Sequence, residues 1–241
     1  MSSSALIIAG KSSHVLNNFF PTKSYDSIFQ SYRNSLSVSE SKSDLFHENF
    51  LLDLKADFNF DTFFAKLSKY DSIDVIFASY LSEGLNRSES IDNVTSSLRA
   101  NCIYPLKFFS EISSIFPKKN INSVFISSIY AHVSPNPKNY RGNSDINPLY
   151  YGVAKAGVEC GLRWLSCQNP LHIFNMIALG PMPKPSVIED YPLMTASLVD
   201  SIPRKKLINH KDFHCAINFL LNQTGSISGE TLFVDGGYTT W

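Results

Sequence analysis

The sequence predicts an α/β fold in which helices cover both faces of one parallel sheet. Three observations carry that prediction: short, almost wholly apolar runs recur along the chain, amphipathic stretches separate them, and no repeat or low-complexity linker divides the 241 residues. Continuous apolar runs mark parallel strands buried on both faces, whereas a strand with one wet face alternates. A chain of this length supplies enough material for one well-buried core. We therefore expect a single domain over residues 1–241, doubly wound, with about seven strands.

Residues 5–9, Ala-Leu-Ile-Ile-Ala, read as the first strand, followed by Gly10 and the polar turn Lys11-Ser12-Ser13, where a short helix starts. Residues 27–32 form a weaker, alternating strand and residues 49–53 a third. Phe60, Phe63, Phe64 and Leu67 share one helical face. Residues 73–78 are the fourth strand, 96–115 a long amphipathic helix and 123–127 the fifth strand. A second long helix, 151–167, is rich in small residues, among them Gly152, Ala154, Ala156, Gly157 and Gly161. A strand over 172–177, a helix over 213–222 and a strand over 230–234 close the chain, and the serine-heavy stretch 35–43 reads as a surface loop.

Composition removes several function classes. Lysine and arginine number 21 against 21 acidic residues, which argues against a nucleic-acid binder with its phosphate-neutralising face. Arg204-Lys205-Lys206 reads as a solvated turn. Cys102, Cys160, Cys167 and Cys215 show no CxxC pair or metal-ligand rhythm, so buried thiols in a reducing compartment, and no metal, are expected. The N-terminus lacks the basic segment of a signal peptide, and no run approaches the ~18 apolar residues of a membrane span. A cytoplasmic protein, on no membrane, is the expectation.

Tyr151 and Lys155 stand four apart on a helix, hence one turn from each other on one face. An ammonium beside a phenol favours the phenolate, which suits a general acid/base working on a carbonyl oxygen. Alone, Tyr-x-x-x-Lys is common. Its context is not: Asn101 lies in the preceding long helix, Ser127-Ser128 sits past a strand, and the chain ends through Val234-Asp235-Gly236-Gly237. On these residues the sequence resembles the classical short-chain dehydrogenase/reductase family along essentially its whole length, which implies a single Rossmann-like domain. The resemblance implies that Tyr151 exchanges the proton, Ser128 bonds the same oxygen, Lys155 lowers the Tyr151 pKa and holds the nicotinamide ribose, and Asn101 fixes a relay water. It also implies a homodimer or homotetramer.

The family's phosphate loop is broken here. Its Thr-Gly-x-x-x-Gly-x-Gly aligns with Ala9 to Leu16, so Gly10 survives while His14 and Leu16 stand at glycine positions. Either the dinucleotide shifts and Lys11, Ser12 and Ser13 contact its phosphates, or binding is lost and the chain is a scaffold on the same fold; we favour binding. His14 is a phosphate contact or a surface histidine. The family's Asn-Asn-Ala-Gly is replaced from Ala78 through Ser79 and Tyr80 to Leu81. After the second strand, Gln30-Ser31-Tyr32-Arg33 holds no carboxylate for a ribose 2′-hydroxyl, and Arg33 favours NADP(H) over NAD(H). Asp53 resembles the adenine-contacting aspartate, although a helix N-cap explains it too. Gly180 takes the nicotinamide-side glycine position.

Between Ser128 and Tyr151 the chain is longer than the family's usual, an enlarged substrate loop at 129–149 offering Tyr130, His132, Tyr140 and Arg141. Such side chains suit a polar small-molecule substrate, and the layout is similar to reductases associated with bacterial surface glycans. A (nucleotide-)sugar interconverted between ketone and alcohol is the expected substrate. Gly180-Pro-Met-Pro-Lys-Pro185 reads as a stiff, extended approach to a lid.

Overall fold

The apolar runs become the strands. β1 (Ser4–Ala9), β2 (Ser27–Tyr32), β3 (Glu48–Leu51), β4 (Ser72–Phe77), β5 (Asn120–Ser128), β6 (His172–Leu179) and β7 (Thr231–Val234) pair in the order β3-β2-β1-β4-β5-β6-β7. Every pairing is parallel. The computed structural model describes residues 2–10, 14–32, 48–51, 60–79, 90–140, 147 and 149–240. Lys11, Ser12, Ser13, Arg33, Asp53, Tyr80 and Arg141 lie outside the described residues.

Alternation within the apolar strands feeds two cores. Ala5, Ile7 and Ala9 of β1, with Ile73, Val75 and Phe77 of β4, pack under α1 (Asp61–Leu67), α3 (Tyr104–Ile115) and α4 (Leu149–Ser166). Leu6, Ile8 and Ile76 turn the other way, onto Phe19 and α7 (His210–Asn222) with Phe213, Ile217, Leu220 and Leu221. This is the Rossmann-like sheet covered on both faces. Strand order reverses between β1 and β4, and the crevice above their carboxyl ends is where open parallel sheets take ligands. Gly10 closes that corner with φ +83°, and a Cβ there would stand 1.9 Å from the Ala78 carbonyl oxygen. Only a residue without a side chain fits.

The helix expected over 96–115 is interrupted. α2 (Ile91–Leu98) passes into a π-helical turn, Arg99–Ile103, before α3 begins. Pro105 has no N–H to close an α-helical bond on the Asn101 carbonyl, and the Tyr104 N–H reaches back five residues to the Arg99 carbonyl. A proline inside the periodic stretch was the available signal. The extended approach Gly180–Lys184 is as expected, but Pro185 and Pro192 then open α5 (Pro185–Asp190) and α6 (Pro192–Ser201), which the sequence reading passed over. Proline is tolerated in a first helical turn, where its missing N–H is no loss.

The cysteines also differ from expectation: Cys160, Cys167 and Cys215 are exposed, and Cys102 is half-buried. Among the described residues no helix is long and apolar enough to cross a membrane.

Candidate active site

The carboxyl ends of β4, β5 and β6, the start of α4 and helices α5 and α6 enclose a cleft of about 630 Å³, within the range of small-molecule and cofactor sites. Ala78, Ser128, Tyr151, Lys155 and Gly180 all line it, so five of the residues singled out in the sequence converge. Tyr130 and Tyr140 line it too, from the enlarged loop.

Ser128 ends β5 and is buried, and its Oγ accepts the Tyr130 N–H at 3.2 Å, capping a short turn. Lys155 is fully buried on α4. Its Nζ donates to the carbonyls of Ser79 (2.8 Å) and Ile126 (2.9 Å) and lies 5.8 Å from the Tyr151 ring centre. Two of an ammonium's three donors are thus committed, leaving one for a ligand. Burial pulls its pKa down to about 7, against an opposing pull from Glu159 and then Cys102.

Gly180 follows β6 against the chain's ending. A Cβ on it would fall 2.6 Å from the Asp235 Cα, and Asp235 accepts the backbone N–H groups of Gly237 (2.8 Å) and Thr239 (2.9 Å). The Asp-Gly-Gly ending therefore buttresses the cleft floor.

Other expected residues are placed differently. Asn101 is fully buried in the π turn, donating to the Ser97 carbonyl at 3.1 Å, and does not line the cleft. His132 is turned away from the cleft, against Glu159 (2.9 Å) and the Phe233 ring. Of the two side chains at the family's glycine positions, Leu16 is buried in the α7-side core, and only His14 faces the cleft.

Glu159 was missed. It is buried one turn beyond Lys155, and its carboxylate accepts from Ser127 Oγ, from Thr231 Oγ1 (3.0 Å) and from His132, with Arg163 at 3.6 Å. A buried carboxylate needs such partners. They come from β5, β7, α4 and the loop after β5, so sequence spacing carries no sign of them. The enlarged loop is anchored similarly: Tyr130 and Tyr140 share a hydroxyl–hydroxyl bond, and Asn139 accepts from Ser197 (3.1 Å) and Ser201 (2.8 Å) on α6. Burial first, then the Tyr140 neighbour, holds the Tyr130 phenol above its ordinary range.

A family model described as enoyl-(acyl carrier protein) reductase matches residues 30–239. The chain belongs to the classical short-chain dehydrogenase/reductase family. Among its relatives are an NADH-dependent L-xylulose reductase of Ambrosiozyma monospora, 28% identical over 112 residues, and a ribulose-forming D-arabinitol 2-dehydrogenase of Scheffersomyces stipitis, 32% identical over 98. The matches cover 41% and 38% of this chain and 39% and 35% of those relatives. The fold is shared with a short-chain dehydrogenase of Leptospira borgpetersenii with bound NAD+ (TM-score 0.80, 17% identity, 99% and 94% of the two chains). It is shared also with an NADP complex of RhlG from Pseudomonas aeruginosa (TM-score 0.76, 14% identity, 99% and 97%).

Proposed function

We propose that this family member is a nicotinamide-dependent oxidoreductase interconverting a ketone and a secondary alcohol on a polyhydroxylated small molecule. The observation that carries the reading is the meeting of Ser128, Tyr151, Lys155 and Gly180 on one cleft at the sheet's switch point. The residues present fit a dinucleotide. Ser79 is buried beside the cleft with an Oγ that has no hydrogen-bond partner among the described residues, and Gly10 and Gly180 keep two corners free of side chains.

A bound dinucleotide would supply the hydride, or accept it, at the carbonyl carbon. Tyr151 gives its hydroxyl proton to the substrate oxygen in reduction and recovers it in oxidation. Ser128 Oγ already accepts from Tyr130, so its own O–H is the part that serves the same oxygen. Lys155 lends positive charge beside the phenol and its remaining donor to the ribose. Asn101 does not line the cleft; by the family resemblance it would fix a water of the proton relay from the π turn that packs on α4. Tyr130, Tyr140 and Asn147 offer polar contacts, while Met182, Val187, Met194 and Leu198 exclude water.

NADP(H) is the preferred coenzyme in this reading, because the sequence Gln30-Ser31-Tyr32 that closes β2 is followed by Arg33 and holds no carboxylate. The relatives' names support a sugar or polyol substrate, and a bacterial glycan precursor is the specific candidate. A cytoplasmic setting is the expectation, and association into a homo-oligomer is supported by exposed Leu149, Val153 and Trp164 on α4. A panel of pentuloses and nucleotide-linked ketosugars, followed by loss of reduced-nicotinamide absorbance, tests the assignment. Turnover of at least one, faster with NADPH than NADH, is expected. No turnover of these or of simple ketones with either coenzyme contradicts it.

A further inference from the structure

His14 stands where the family carries a glycine, and its surroundings give it a definite hydrogen-bonding state. Its Nε2 lies 2.7 Å from the Met182 carbonyl oxygen. A carbonyl only accepts, so Nε2 carries the proton and, in the neutral ring, Nδ1 is a bare acceptor. The backbone of this turn is held from below. His210 Nε2 bonds the His14 carbonyl at 2.9 Å and His214 Nε2 bonds the Val15 carbonyl at 2.9 Å, both from α7. Lys184, two residues beyond Met182, lines the same cleft as His14 and is close enough to act on its charge. The β1 turn and the segment after β6 are thus bridged, with a cation on one side and an ionisable ring on the other.

We propose that His14 and Lys184 form a two-cation clamp for the diphosphate of the bound dinucleotide, His14 taking up a proton as the diphosphate binds. The clamp rests on the dinucleotide-dependent function proposed above. Nδ1 repels a phosphate oxygen while it is a lone pair and donates to it once protonated, with Nε2 still on Met182. In the free protein, burial above all, then Lys184 and His210, hold His14 below its ordinary pKa of 6.5, the Met182 bond opposing them. Lys184 and His210 are the titratable groups that act on it among the described residues, and His214 bonds the next residue's carbonyl. A diphosphate reverses the balance by neutralising Lys184 and pairing with the ring. Affinity therefore rises as pH falls, because only the imidazolium offers a second donor.

Calorimetric titration of NADPH and NADH into the full chain, in two buffers of different ionisation heat, reads the proton directly. Uptake of a fraction of a proton near neutral pH is expected, with Kd tightening toward acidic pH. His14→Gln keeps a donor for Met182 but cannot ionise, so it should bind about ten-fold more weakly and lose both the uptake and most of the pH dependence. Lys184→Met should weaken binding about ten-fold and flatten its salt dependence. A wild-type protein that binds without proton uptake, or a folded His14→Gln variant that binds as tightly or more tightly, overturns the clamp and leaves the oxidoreductase reading standing. Failure of the wild type to bind either dinucleotide overturns both.

Discussion

Phenylalanine in place of Tyr151 is expected to lower kcat by about 10²–10⁴-fold, the usual contribution of a positioned general acid/base, while leaving dinucleotide affinity nearly unchanged. The substitution removes one oxygen from a ring that stays on α4, so the packing of that helix and the Lys155 bonds to Ser79 and Ile126 persist. Without the phenol, the developing alkoxide has no proton donor, and Ser128 can only hydrogen-bond it. Single-turnover hydride transfer with saturating coenzyme checks the effect, because it separates chemistry from product release. Activity within a few-fold of wild type, alongside intact binding, would exclude Tyr151 from proton transfer.

The second large effect concerns the platform rather than the chemistry. Phe108→Ala should cost about 3–5 kcal/mol of folding stability, a large share of the ~5–15 kcal/mol that holds a typical domain together. Phe108 is fully buried on α3 and meets Phe60 at 5.3 Å, Phe64 at 5.4 Å, Phe77 at 5.3 Å and Phe109 at 5.5 Å, ring centre to ring centre. It joins α1, α3 and β4 through a rigid aromatic cluster that cannot collapse around the lost ring. Urea unfolding should show a lower midpoint with an unchanged m-value. A loss below about 1 kcal/mol would mean that the cluster relaxes freely, against the usual behaviour of close-packed cores.

The parts of the fold legible in the sequence are those set by local patterning. Ala5 to Ala9 is apolar at every position and Ile73 to Phe77 at every position but Asp74, and both became central strands buried on both faces. Tyr151 and Lys155 were legible because helical geometry alone places them together. What escaped depended on contacts between distant segments or on one residue type having two uses. Pro185 read as the end of a stiff, extended approach and proved to start a helix, while Pro192, which starts the next, and Pro105, which widened a helix at Asn101, went unremarked. His132 looked like a pocket side chain because its partner Glu159 is brought to it only by the packing of α4 on the sheet. Leu16 looked like an obstruction because spacing shows that a side chain is present, not which way it points; it packs under α7.

His14 bears most directly on the account as a whole, since it is the one bulky departure from the family's phosphate loop that reaches the cleft. The proton chemistry of Ser128, Tyr151 and Lys155 has a function only if a hydride carrier lies beside it. The decisive measurement is therefore the titration of purified full-length protein with NADPH and NADH, read by heat and by thermal shift together. Saturable binding of at least one, tighter for NADPH, is the predicted result. No heat and no stabilisation with either coenzyme, from a folded protein, would contradict it.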